Sequence, residues 1–77
     1  MPVIDIVRDV VAGVARQRVR YDEPLVSSGL IDSLSVLTLI TALEERLQIR
    51  IPTARVQPDD FDSVLVIVET IARVSTT

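Results

Sequence analysis

Gly29-Leu30-Ile31-Asp32-Ser33-Leu34 is the stretch of this 77-residue chain where residue type and spacing point to chemistry. A serine placed there occupies the first turn of a helix, directly after a glycine-containing loop. Asp32 suits the cap position, because its carboxylate can accept a backbone N–H from that turn. The Ser33 hydroxyl then points outward beside the free N–H groups of the helix start. Those groups and the helix dipole stabilise negative charge by roughly 0.3–1 kcal/mol, which favours a phosphate ester. The same six residues also read as an ordinary helix start, and both readings stand at this point.

Other chemistries are excluded by composition. The chain has no cysteine and no histidine, so the usual zinc sites, Cys/His nucleophile pairs and Ser-His-Asp triads are absent. All eight basic residues are arginine, and without lysine or a convergent acid pair an enzyme is not expected. A second Asp-Ser pair, Asp62-Ser63, has Phe61 before it and an apolar run after it, so Ser63 reads as a helix cap. Asp59, Asp60 and Asp62 mimic a calcium loop, but such a loop needs glycine at its sixth position and glutamate at its twelfth. Counted from Asp59 or Asp60, the twelfth residue is Thr70 or Ile71. The cluster is expected to complement the dipole of the last helix. Glu44 and Glu45 read as a solvated face, and Tyr21 and Phe61 as core or loop anchors.

The elements that must position Ser33 are legible in the apolar spacing. Val3, Val7, Val10, Val11 and Val14 recur at three- and four-residue intervals, which predicts an amphipathic helix over 3–17 with Pro2 in its first turn. Residues 19–32 hold Pro24 and Gly29 and keep no period. Connections of that length are usually functional or the sign of a missed element, and Leu25, Val26, Leu30 and Ile31 are available to pin this one to a core. A second helix is predicted over 33–48, with Val36, Leu39, Ile40, Leu43 and Leu47 as its buried stripe and Pro52 preventing continuation. A short link follows. Pro58-Asp59-Asp60-Phe61 is expected to form one turn, and Asp62 or Ser63 to cap a last helix over 64–74. Val64-Leu65-Val66-Ile67-Val68 alone would pass for a buried strand. Its pattern nevertheless continues at helical spacing through Ile71 and Val74, and no second strand exists to pair with it.

The expected fold class is therefore all-α: one domain over residues 1–77, a bundle of three long helices plus one short helix. The apolar fraction of 48% suffices for a packed core, and the net charge of −3 argues against a nucleic-acid partner. No leader pattern or stretch long enough to span a membrane is apparent, so a cytoplasmic, monomeric protein without a membrane partner is expected. The start at Met1 and the fit to one domain favour a free-standing protein.

The longer run Gly29-Leu30-Ile31-Asp32-Ser33-Leu34-Ser35-Val36-Leu37, followed by Ala42-Leu43-Glu44-Glu45-Arg46-Leu47 and Ile49-Arg50-Ile51-Pro52, resembles the acyl carrier protein family. Phe61-Asp62-Ser63-Val64 is similar to that family's entry into its last helix. The resemblance spans nearly the whole chain, most strongly from Gly29 to Pro52. It implies an acyl-carrier-like bundle whose motif serine, Ser33, receives 4′-phosphopantetheine from coenzyme A. The arm would then carry acyl or aminoacyl intermediates as thioesters. Departures narrow the comparison: Ser35 and Thr38 stand where carriers of fatty acid synthesis usually have acids, Arg46 interrupts the acidic end, and Leu30-Ile31 replaces the Gly-Gly pair of peptidyl carriers. The chain thus looks like a discrete acyl or aminoacyl carrier of a specialised pathway.

On this resemblance, Ser33 attacks the coenzyme A pyrophosphate within a phosphopantetheinyl transferase that supplies base and Mg²⁺. Asp32 caps the helix and presents charge to that transferase. Leu34 and Leu37 are partner contacts, and further partners are a loading enzyme, adenylating or acyl-transferring, and downstream acceptor enzymes. Counted at 100° per residue, Leu37 lies one turn from Ser33 on nearly the same face and away from the buried stripe, so it should remain exposed. The rival from another class is a small helical interaction module without a prosthetic group.

Overall fold

A computed structural model describes residues 2–75. Helix α1 runs Val3–Ala15, α2 runs Ser33–Leu47 and α3 runs Val64–Val74, with single 3₁₀ turns at Thr53–Arg55 and Pro58–Phe61. The expected three long helices and the short turn before α3 are present. The turn at Thr53–Arg55, expected only as a link, is additional.

Helix α1 is the central element, packing against both α2 and α3, while the Pro58–Phe61 turn sits against α3 and α2. Its buried face is Val7, Val10 and Val11. Val3, assigned to that face by spacing, is instead 48% exposed: it begins the first turn, where neither neighbouring helix covers it. Pro2 stands at the cap and not inside the helix; its carbonyl accepts from the Asp5 and Ile6 amides. The helix ends at Ala15, two residues before the expected Gln17, because Arg16 turns into the left-handed region at φ 59°. Helix α2 ends the same way on Gln48 at φ 55°. Without glycine at these positions, each left-handed cap costs roughly 1–2 kcal/mol locally.

The stripe of α2 buries Val36, Leu39, Ile40 and Leu43 as expected. Leu47, in the last turn, is only partly buried. The apolar run Val64–Val68 is helical, with Val64 and Ile67 fully buried and Ser63 as the cap: its Oγ accepts the Val66 N–H at 3.1 Å. Phe61 is completely buried and is the largest side chain in the core. Tyr21 is the loop anchor of the two aromatics. It is partly buried, its hydroxyl donates to Asp5 Oδ1 at 2.6 Å, and Arg8 lies over its ring at 4.4 Å. Thr70 is the buried polar exception, and its Oγ1 donates to the Asp60 carbonyl at 2.9 Å. Among the described residues no buried side-chain polar atom lacks a partner, as a well-formed interior requires.

Two carboxylates expected at solvent or at a helix dipole are instead internal clamps. Glu44 Oε2 accepts the Ile51 N–H at 2.8 Å, closing the chain back onto α2 just before Pro52. Asp62 does not cap α3. It turns towards the long connection and accepts from Val26 N, Ser27 N and Ser27 Oγ at 2.8, 2.7 and 2.9 Å. Of the Asp59–Asp62 cluster, Asp60 accepts from Gln57 N at 2.8 Å, within the turn before α3, and pairs with Arg73 at 3.3 Å.

Candidate functional site

Ser33 is the first residue of α2, and its side chain is exposed. Three layers of structure put it there. The cap is the first. Asp32 has an extended backbone, its Oδ1 accepts the Ser35 N–H at 2.8 Å, and its carbonyl accepts the Val36 N–H at 3.0 Å. The Ser35 amide, helped by the Ser35 side chain, holds the Asp32 carboxyl below its usual range, so it is charged at neutral pH. The N–H groups of Ser33 and Leu34 have no carbonyl of the same helix to bond.

The second layer is the preceding connection. Gly29 lies at φ 82°, a left-handed conformation that glycine adopts at little cost, and its N–H closes a turn onto the Val26 carbonyl at 3.0 Å. A Cβ there would meet open space, so conformation and not crowding requires the glycine. Leu25 and Ile31 are fully buried, and the Ile31 N–H donates to the Leu25 carbonyl at 3.0 Å. The connection is pinned to the core at both residues, as their apolar character predicts. Val26 and Leu30 pack against the core only in part.

The third layer is the start of α3. Besides its side-chain bonds, Asp62 accepts the Leu25 N–H on its carbonyl at 2.8 Å. Leu25, Val26 and Ser27 therefore all hang from one residue. The Ser27 amide is the main reason the Asp62 carboxyl is held below its usual range. Spacing alone did not find this residue as a support for the loop, since its partners are 35 and 36 positions away.

Around Ser33 the surface is apolar and free of core duties. Leu34 is 77% exposed and Leu37 56% exposed, and both lie on the Ser33 side of α2, as the helical geometry predicts. Thr41 continues this exposed face, with its Oγ1 bonded to the Leu37 carbonyl at 3.2 Å. Further along, Glu45 is exposed, whereas Glu44 is engaged with Ile51. The arrangement offers an accessible hydroxyl at a positively polarised helix start, between the Asp32 cap and the exposed side chains of Leu34 and Leu37. This chemistry suits a covalently held phosphate ester, so the residues present fit a phosphopantetheine arm.

Such a hydroxyl, on a bundle of three helices, is the arrangement expected of a carrier. The family model for the phosphopantetheine attachment site matches residues 3–71, and the chain belongs to that family, whose members hold 4′-phosphopantetheine covalently. Among curated proteins it is similar to the D-alanyl carrier proteins of Streptococcus sanguinis (strain SK36), Streptococcus gordonii (strain Challis) and Streptococcus thermophilus (strain ATCC BAA-491 / LMD-9). Each is 40% identical over 48 residues, a stretch that makes up 62% of this chain and 61% of the relative. The match thus spans about three fifths of the length of those relatives.

Proposed function

We propose that Ser33 is the attachment point and that residues 1–77 act as one carrier domain for aminoacyl groups, held as thioesters on the arm. The observation that carries this reading is the exposed Ser33 at the first position of α2, capped by Asp32 and flanked by Leu34 and Leu37. In loading, Ser33 Oγ attacks the coenzyme A pyrophosphate, its proton passes to a base of the phosphopantetheinyl transferase, and adenosine 3′,5′-bisphosphate leaves. Asp32 keeps the helix start formed and offers its charge to the transferase. The chain has no thiol of its own, so the arm supplies the thioester sulfur.

An aminoacyl cargo is supported by the similarity to D-alanyl carrier proteins. Ser35 and Thr38, neutral where carriers of fatty acid synthesis usually have acids, agree with a specialised carrier. The loading partner is then an adenylating enzyme, and an acceptor enzyme follows it. The protein works as a monomer without nucleic acid. No helix of the described residues is long and apolar enough to cross a membrane. Coenzyme A is a cytoplasmic donor, so we place loading in the cytoplasm.

Intact mass after incubation with coenzyme A, Mg²⁺ and a phosphopantetheinyl transferase tests the reading. One phosphopantetheine increment is expected on the wild-type chain and on Ser63→Ala, and none on Ser33→Ala. An increment on Ser33→Ala would place the arm elsewhere. A panel of adenylating enzymes offered to the loaded protein then identifies the cargo.

A further inference from the structure

The support for Ser33 reaches well beyond its own helix. Asp62 holds Val26 and Ser27 through three side-chain hydrogen bonds and Leu25 through its carbonyl. Leu25 passes that restraint on, because its carbonyl accepts the Ile31 N–H at 3.0 Å. Ile31 is buried and immediately precedes the capping Asp32. An unbroken chain of contacts therefore runs from the start of α3 to the first turn of α2.

We propose that Asp62 is a positioning residue for phosphopantetheine transfer, holding residues 25–31 in the conformation in which a transferase engages Ser33. This inference rests on the reading of Ser33 as the attachment point. Asp62 itself touches neither the prosthetic group nor coenzyme A. Its effect is on the fraction of molecules whose loop and helix start are correctly arranged. If only a fraction of the carrier is competent, its apparent affinity for the transferase falls by that fraction, while the chemical step of the bound complex is unchanged. Loss of the clamp should therefore appear in KM for the carrier and not in kcat.

The geometry also predicts which replacement restores function. An asparagine can keep both backbone donors on its amide oxygen and donate its NH₂ to Ser27 Oγ, whereas alanine keeps none of these bonds. A role through charge alone would not be restored by asparagine.

The test is transfer kinetics at saturating coenzyme A, followed by intact mass, for the wild-type chain, Asp62→Ala, Asp62→Asn, Ser27→Ala and Ser33→Ala. Melting curves identify the temperature at which all are folded. Asp62→Ala should raise KM about three- to tenfold with kcat within about twofold, on the competent-fraction relation. Asp62→Asn should return KM to within about twofold of wild type. Amide exchange should accelerate at Val26, Ser27 and Ile31 in Asp62→Ala and stay unchanged at Ile71 in α3. A folded Asp62→Ala with wild-type KM overturns the proposal, as does an Asp62→Asn no better than alanine. If Asp62→Ala does not fold, Ser27→Ala decides, since it removes only the hydroxyl bond. A raised KM upholds the proposal and an unchanged KM overturns it. Ser33→Ala separates the two claims: if it still gains the arm, the reading of Ser33 fails, whereas if it stays unmodified and Asp62→Ala loads normally, only the role of Asp62 fails.

Discussion

Tyr21 and Asp5 are joined by a 2.6 Å hydrogen bond across sixteen positions, with the Arg8 guanidinium over the Tyr21 ring at 4.4 Å from its centroid. This contact fastens the start of the long connection to the first turn of α1. Because the bond favours the neutral phenol, the Tyr21 hydroxyl is held above its usual range, chiefly by Asp5. A group raised in the folded state contributes stability below its unfolded pKa of 10.0 and loses it as pH rises through the folded value. Thermal melting across alkaline pH should therefore show a decline for wild type that Tyr21→Phe lacks. At neutral pH Tyr21→Phe should melt a few degrees lower, as expected for one lost hydrogen bond in a chain this small.

Acid should act on the opposite sign through Asp62. Its carboxyl is held below the ordinary value of 3.8 mainly by the Ser27 amide. A lowered pKa contributes stability above 3.8 that disappears as pH falls through the folded value. In denaturant titrations the wild-type advantage over Asp62→Asn should be constant from neutral pH down to about the unfolded pKa of 3.8 and shrink below it. A constant difference at all pH values would show that the charge does not contribute.

Leu37→Asp should separate partner binding from folding. With 56% of its surface exposed, the residue contributes little to the core, so stability should change by no more than about 0.5 kcal/mol. Loading by the transferase or a cognate adenylating enzyme should nevertheless slow, because a charge would be desolvated within an apolar contact. Melting and loading rate, measured on the same sample, check both halves. A large stability loss would put Leu37 in the core.

Glu44→Ala should lower stability by about 1 kcal/mol, the net worth of the bond to Ile51 N–H, while Glu44→Gln retains the acceptor and should lose much less. Chemical denaturation measures both. Equal losses would show that the carbonyl geometry of the clamp is unimportant.

Phe61→Ala tests the scale of the core. Removing a fully buried phenylalanine costs about 3–5 kcal/mol. A chain of this length has about 4–12 kcal/mol in total. The variant should be largely unfolded or melt far below wild type by circular dichroism.

The residues that sequence spacing placed correctly share a local signal. Val36, Leu39, Ile40 and Leu43 follow the helical period over a full element, and the run through Val64 and Ile67 could be read as helix because Ile71 and Val74 extend it. Ser33 and Asp32 were legible because a cap and the residue after it are adjacent in sequence. Failures came where the determining partner is distant or the element is too short to show a period. Asp62 looks like any acid before a helix until Ser27 is seen beside it. Glu44 looks solvated until the chain returns with Ile51. Thr53–Arg55 is three residues long and has no repeat to detect. Arg16 and Gln48 end their helices in a conformation usually signalled by glycine, which neither position carries.

The span of the Asp62 clamp has a bearing on synthesis of the chain. Ser27 and Asp62 are 35 residues apart, and a contact that distant forms only after a costly loop has closed. The chain grows from its N-terminus, so Ser33 and α2 are added before Asp62 and α3. A chain that stops before α3 therefore carries the serine without the clamp, and the clamp forms only once the start of α3 has been translated and docked. Priming by a transferase that prefers the clamped loop would in this way wait for translation, sparing coenzyme A from fragments that stop short of the third helix.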